Sequence, residues 1–187
     1  EFAAGMVLES AKPWREADGD VAEAIDYLRY YAAQAERMAE GAPLLQVPGE
    51  MNTYRYEPRG VAAVITPWNF PLAIFTGMAS AAIAAGCPAI LKPAEQSPLS
   101  ALRLAELAAE AGIPPGVFNV LPDLGPVTGQ ALGQHMDVDC LAFTGSTATG
   151  KRFMAYASES NLKRVWLECG GKSPHIVFDD ADLERAA

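Results

Sequence analysis

From Val61 onward, short uninterrupted apolar runs alternate with longer stretches of helical character. That alternation constrains the fold more than any other feature of the 187 residues. The runs are Val61–Ile65, Ala89–Leu91, Val117–Leu121, Cys140–Phe143, Val165–Leu167 and His175–Phe178. Between them lie Phe70–Gly86, Ser97–Ala111, Pro126–Gly133 and Ser146–Ser158. A strand apolar on both faces must be covered on both, and a helix between successive strands supplies the cover. Right-handed crossovers then predict an α/β fold, a doubly wound, mainly parallel, Rossmann-like sheet with helices on both faces. Ser97-Pro98 predicts a helix start, a capping hydroxyl ahead of a residue whose missing N–H costs nothing there.

Upstream, Val21, Ile25, Leu28, Ala32 and Ala35 recur at steps of four and three, predicting an amphipathic helix over Asp20–Glu40. Asp20 with Glu23 resembles a capping box at its start. Gly41–Glu50 reads as a Pro/Gly-punctuated connection, and Met51–Pro58 alternates enough for an edge strand. Near the other end, Asp179-Asp180-Ala181-Asp182 reads as a helix N-terminus. The chain opens on Glu1-Phe2 without an initiator Met and stops at Ala187 in that new helix, so a cut chain with an incomplete sheet is expected.

Phe70–Leu91 is 22 residues without a charge, long enough to cross a bilayer. Pro71, Gly77, Gly86 and Pro88 break it, and a buried helix feeding a buried strand fits better. The start does not resemble a signal peptide. A net charge of −9, from 14 Lys+Arg against 23 Asp+Glu, argues against nucleic-acid or membrane partners, whose phosphates need basic surfaces. Cys87, Cys140 and Cys169 lack CxxC spacing and cannot all pair, which points to a reduced, cytoplasmic setting. His135 and His175 have no ligand spacing, so no metal site is expected.

In a doubly wound sheet, ligands bind beyond the carboxyl ends of the strands. The residues falling there are Thr66-Pro67-Trp68-Asn69, Lys92-Pro93-Ala94-Glu95, Thr144-Gly145-Ser146-Thr147 and Glu168-Cys169-Gly170-Gly171. Gly145-Ser146 offers helix N–H groups to a phosphate, or Ser146 is a plain N-cap. Lys92 and Glu95 suit the vicinal hydroxyls of a ribose, or form a surface ion pair. Glu95 would repel a 2′-phosphate, which favours NAD over NADP. The G-x-G-x-x-G fingerprint is absent, although glycine-rich Gly125–Gly133 could let a cofactor approach the backbone. Asn69, between Trp68 and Phe70, is either a buried structural amide or a donor for a developing oxyanion. Glu168, after an apolar run, is expected to be partly desolvated as a general base, or to cap a turn through the Gly170-Gly171 amides. Cys169 points away from it, since neighbours in a strand face opposite sides.

Five runs together resemble the aldehyde dehydrogenase superfamily: ITPWNFPL (65–72), LKPAEQSPL (91–99), GIPPGVFNVLP (112–122), FTGST (143–147) and LECGGKSP (167–174). The resemblance implies an NAD-dependent enzyme with NAD-binding, catalytic and oligomerisation regions. Asn69 would donate to the oxyanion of a thiohemiacetal, and Glu168 would activate water for thioester hydrolysis. Lys92 and Glu95 would hold the adenosine ribose, while Thr66, Pro67, Trp68, Gly125, Thr144, Gly145 and Ser146 would line the cofactor cleft. In the family, a cysteine thiolate attacks the aldehyde, hydride passes to nicotinamide and water releases the acid. That cysteine lies beyond ECGGK, and none of the three here falls at its position. The implied division is residues 1–53 as an N-terminal helix and connection, and 54–187 as an incomplete NAD-binding domain without the catalytic domain. Alone, these residues are expected neither to oxidise aldehydes nor to form the family's homo-oligomer. KPWREADGDVAEAIDYLRYYA (12–32), LLQVPGEMN (44–52) and NFPLAIFTGM (69–78) resemble the pyrroline-carboxylate branch. LKRVWLECGGKSP (162–174) resembles the gamma-glutamyl-aminobutyraldehyde branch, so the substrate stays at a small aldehyde. A non-catalytic dinucleotide-binding or structural module is the alternative.

Overall fold

The computed structural model describes residues 1–186. Five strands, β1 (Ala62–Ile65), β2 (Ala89–Lys92), β3 (Phe118–Val120), β4 (Cys140–Thr144) and β5 (Arg164–Glu168), pair in the order β3-β2-β1-β4-β5. Every pairing is parallel. Alternation along the strands divides the core. Ala63 and Ile65 stand beside Leu141 and Phe143 and face one side with Phe153 and Leu132. Val64 stands beside Leu91 and faces the other, against Phe75, Ala101 and Met6.

The crossover helices are α3 (Ala73–Ala84) and α4 (Leu99–Glu110) on the Val64 side, then α5 (Gln130–Gln134) and α6 (Thr147–Ser158) on the Ile65 side. A π-helical turn, Gly125–Gly129, runs into α5, and a short α7 (Leu183–Ala186) follows Asp182, whose Oδ1 accepts the Glu184 N–H at 3.2 Å. The acidic run therefore does start a helix.

The N-terminal helices α1 (Phe2–Ser10) and α2 (Trp14–Glu40) pack against α4 and α3 and contribute Met6, Ala17 and Ala24 to the same core. Helix α1 had no periodic signal in the sequence, and α2 begins six residues ahead of the expected start. Asp20 is not its cap. It lies in the second turn, 1% exposed, and its Oδ1 accepts the Ala73 N–H at 2.6 Å while Oδ2 pairs with Lys12 Nζ at 2.7 Å. Asp20 thus caps α3 from a neighbouring helix, satisfying an orphan N–H at that helix start. Glu9 does the same for α4, accepting the Leu99 N–H at 3.0 Å. The expected Ser97 cap is absent, because the Ser97 hydroxyl donates to the Trp68 carbonyl at 3.4 Å instead.

Two expected strands do not form. Over 51–58 the chain is irregular and extends neither edge of the sheet, β3 or β5, as a strand. The Asn52 N–H and carbonyl are taken by the Gln46 side chain, both at 2.9 Å. Residues 175–178 likewise make no ladder, leaving Ile176 and Phe178 about 70% exposed.

Candidate functional site

The order β3-β2-β1-β4-β5 reverses direction between β1 and β4, and a doubly wound sheet opens a crevice at the carboxyl end of such a point. A cleft of about 260 Å³ lies there, floored by Thr66, Lys92 and Glu95 with Gly125 beside them. Lys92 ends β2 and is 2% exposed, so its ammonium needs partners. It donates to Glu95 Oε2 at 2.9 Å and to the Pro93 carbonyl at 3.0 Å, which leaves one of three N–H donors for a ligand. The surface-pair reading fails on the lysine side, while the Glu95 side chain stays 38% exposed. Thr66 Oγ1, on the same floor, is buried without a hydrogen-bond partner. A hydroxyl so placed is normally satisfied, so this one stands out as an open donor on the cleft floor.

The Lys92 hydrogen bond, assisted by the Glu95 and Gly125 backbone N–H groups, holds the Glu95 carboxyl below its ordinary value of 4.5, against an opposing effect of partial burial. A lowered carboxyl pKa makes a contribution that is present above the unfolded value and lost as pH falls through the folded one. Ligand binding in the cleft is therefore expected to stay flat on acidification to the ordinary glutamate range near 4.5 and to fail only below it, as followed by a calorimetric pH series. A decline already centred at that value contradicts the assignment.

Beside the cleft, Ser146 is the N-cap of α6, its Oγ accepting the Thr149 N–H at 3.2 Å, so the plain-cap reading of that hydroxyl holds. Gly145 is extended with φ at 158°, and a Cβ there would sit 2.6 Å from Phe143 Cζ. Its N–H donates to the Glu168 carbonyl at 3.0 Å, tying β4 to β5 as the chain turns into α6.

The rim residues do not form one site. Thr66, Lys92, Glu95 and Gly125 share the cleft. Trp68 and Asn69 line a separate depression of about 340 Å³ with Lys12, Glu16 and Phe70. Thr144 and Glu168 line an apolar cavity of about 720 Å³ over the Val64 and Ala142 face. Pro67, Gly145 and Ser146 lie at the rim outside the cleft lining. Asn69 is exposed, so it is not the buried structural amide. Glu168 is also exposed, not desolvated, because β5 is an edge strand and its flank is open. Cys169 turns to the opposite side and packs with the Ile65 core, as alternation requires.

Of the two cleft walls, one falls in the glycine-rich Gly125–Gly133 stretch singled out from the sequence, and sequence reasoning missed the other, on α6. Thr149, Arg152, Phe153 and Tyr156 form one face of α6, and Pro126, Gly129 and Gln130 form the opposing wall. The signal was available as i, i+3, i+4, i+7 spacing after FTGST. No group of His, Cys, Asp and Glu that could hold a metal occurs among the described residues. No helix among them is long and apolar enough to cross a membrane.

The fold and the cleft place the chain in the doubly wound α/β class. The aldehyde dehydrogenase family model matches residues 1–187, and the chain belongs to that family. It is 46% identical over 192 residues to 1-pyrroline-5-carboxylate dehydrogenase of Bacillus subtilis, covering 100% of this chain and 37% of that protein. Against aminoacetaldehyde dehydrogenase of Pseudomonas aeruginosa it is 47% identical over 189 residues, covering 100% and 38%. Among solved structures, the aldehyde dehydrogenase KauB from P. aeruginosa superposes with a TM-score of 0.92 at 50% identity, over 99% of this chain and 38% of that one. The NAD+ complex of aldehyde dehydrogenase from Bacillus cereus gives 0.92 at 45% identity, over 100% and 38%. The chain thus spans a little over a third of the length of these relatives.

Proposed function

We propose that these residues are the NAD-binding portion of an NAD-dependent aldehyde dehydrogenase, which oxidises a small aldehyde to a carboxylic acid through a thioester. The observation that carries the reading is the buried Lys92 ammonium, paired with Glu95 beside the unpartnered Thr66 hydroxyl, at the reversal of the sheet. When bound, NAD supplies the hydride acceptor. Lys92 and Thr66 donate to, and Glu95 accepts from, the vicinal hydroxyls of the ribose. The ionised Glu95 disfavours a 2′-phosphate by like-charge repulsion, so NADP is the poorer ligand. The Thr149–Tyr156 face of α6 and the Pro126–Gln130 turn line the same cleft and would hold the cofactor between them.

At the rim, the Asn69 amide donates to the oxyanion and the Glu168 carboxylate takes a proton from the hydrolytic water. The nucleophile lies outside these residues. Burial pushes the Cys140 thiol up, Cys87 is buried beside it, and Cys169 packs half-buried against the Ile65 core, so none of the three lines the cleft. Residues 1–53 then complete the domain and, with the exposed Leu45, Met51 and Tyr56, face other subunits of a homo-oligomer. The free thiols and acidic balance suit the cytoplasm. The expected results are NAD binding at least about tenfold tighter than NADP, the scale of one lost charge–charge conflict, and no cysteine-dependent aldehyde turnover by the 187 residues alone. Equal binding of both dinucleotides contradicts the role of Glu95, and turnover contradicts the external nucleophile.

A further inference from the structure

Lys12 and Asp20 form a buried ion pair that the cofactor cleft does not use. Their side chains are 5% and 0% exposed and meet at 2.7 Å. Each partner also holds one end of the same short segment. Lys12 Nζ donates to the Asn69 carbonyl at 2.9 Å and lies 3.8 Å from the centroid of the Phe70 ring. Asp20 Oδ1 accepts the Ala73 N–H at 2.6 Å, where α3 begins. The Asn69–Ala73 turn is therefore gripped at its first carbonyl and its last amide by one ion pair from the α1–α2 junction. Between those two points the Asn69 side chain remains exposed on the 340 Å³ depression that Lys12 and Glu16 also line.

We propose that the Lys12–Asp20 pair is a positioning device for the Asn69 amide. It fixes the backbone from which that amide reaches the reacting carbonyl oxygen. Buried ion pairs are poor sources of stability, since the same volume filled by apolar groups does as well. A pair that spends its remaining hydrogen bonds on the two ends of one turn gives geometric definition instead. A donor to an oxyanion depends on such definition, because its effect falls steeply with small displacements. The inference rests on the reading of Asn69 as the oxyanion donor.

The test is a double-mutant cycle in the full-length enzyme of that reading, with Lys12→Met, Asn69→Ala and the two combined. Lys12→Met is expected to lower kcat about 10- to 100-fold, with KM for NAD unchanged. Combined with Asn69→Ala it should add nothing to the loss that Asn69→Ala causes alone. Should Lys12→Met fail to fold, Lys12→Met/Asp20→Asn removes both charges, keeps an acceptor for the Ala73 N–H and is expected to show the same kcat loss. Losses that add, or an unchanged kcat in a folded variant, overturn the positioning role while leaving Asn69 as donor. An unchanged kcat in Asn69→Ala overturns the donor reading and the proposal with it.

Discussion

Asp20→Ala is expected to destabilise the chain by about 3–5 kcal/mol, the usual result of removing one partner of a buried ion pair. The substitution strands the buried Lys12 ammonium and leaves the Ala73 N–H at the start of α3 without its acceptor. Replacing both charges, as in Lys12→Met/Asp20→Leu, should cost less, because no buried charge is left uncompensated even though the Ala73 N–H still loses its acceptor. Urea unfolding followed by circular dichroism checks both variants. If the single variant loses less than the double, the pair is not acting as a mutually compensated buried unit.

Phe153→Ala is the second large effect, at about 3–5 kcal/mol for a buried aromatic truncated in a packed core. Phe153 is 4% exposed and holds α6 to the sheet, its ring 5.1 Å from Phe143 and 5.9 Å from Tyr156. It also lines the cleft, so the cavity left behind opens into the candidate cofactor site. Stability and dinucleotide affinity should fall together, by unfolding and by calorimetry on the same preparation. Loss of stability with undiminished affinity would separate α6 from the site.

The sheet was legible because its strands are continuous apolar runs, a pattern that only two-sided burial explains. Ala62–Ile65 and Cys140–Thr144 lie within a residue of their expected bounds for that reason. His175–Phe178 carries the same local pattern and forms no strand, since a ladder needs a neighbour that composition does not reveal. Helix starts were less legible. Asp20 looked like the cap of its own helix and caps another 53 residues away, and Glu9 takes the role expected of Ser97 from 90 residues away. Such caps are tertiary contacts, invisible to local spacing.

The Lys92–Glu95 contact at 2.9 Å follows from its i, i+3 spacing after a strand, but the spacing did not show that the lysine would be buried. The environment of Glu168 did not follow, because an apolar run before a carboxylate does not say whether its strand is central or at the edge. Asn69 was equally ambiguous: flanking aromatics suggested burial, yet Trp68 is 56% exposed and Phe70 packs under Lys12.

NAD binding at the sheet reversal is proposed to run through Lys92 and Glu95. Isothermal calorimetry of NAD with the chain and with Lys92→Ala/Glu95→Ala tests it most directly. Removing both partners leaves no charge stranded at the site, so the double variant reports on ligand contacts rather than on an unpaired lysine. Saturable binding by the unaltered chain and none by the folded double variant is the expected result. Equal binding by both would contradict the proposal.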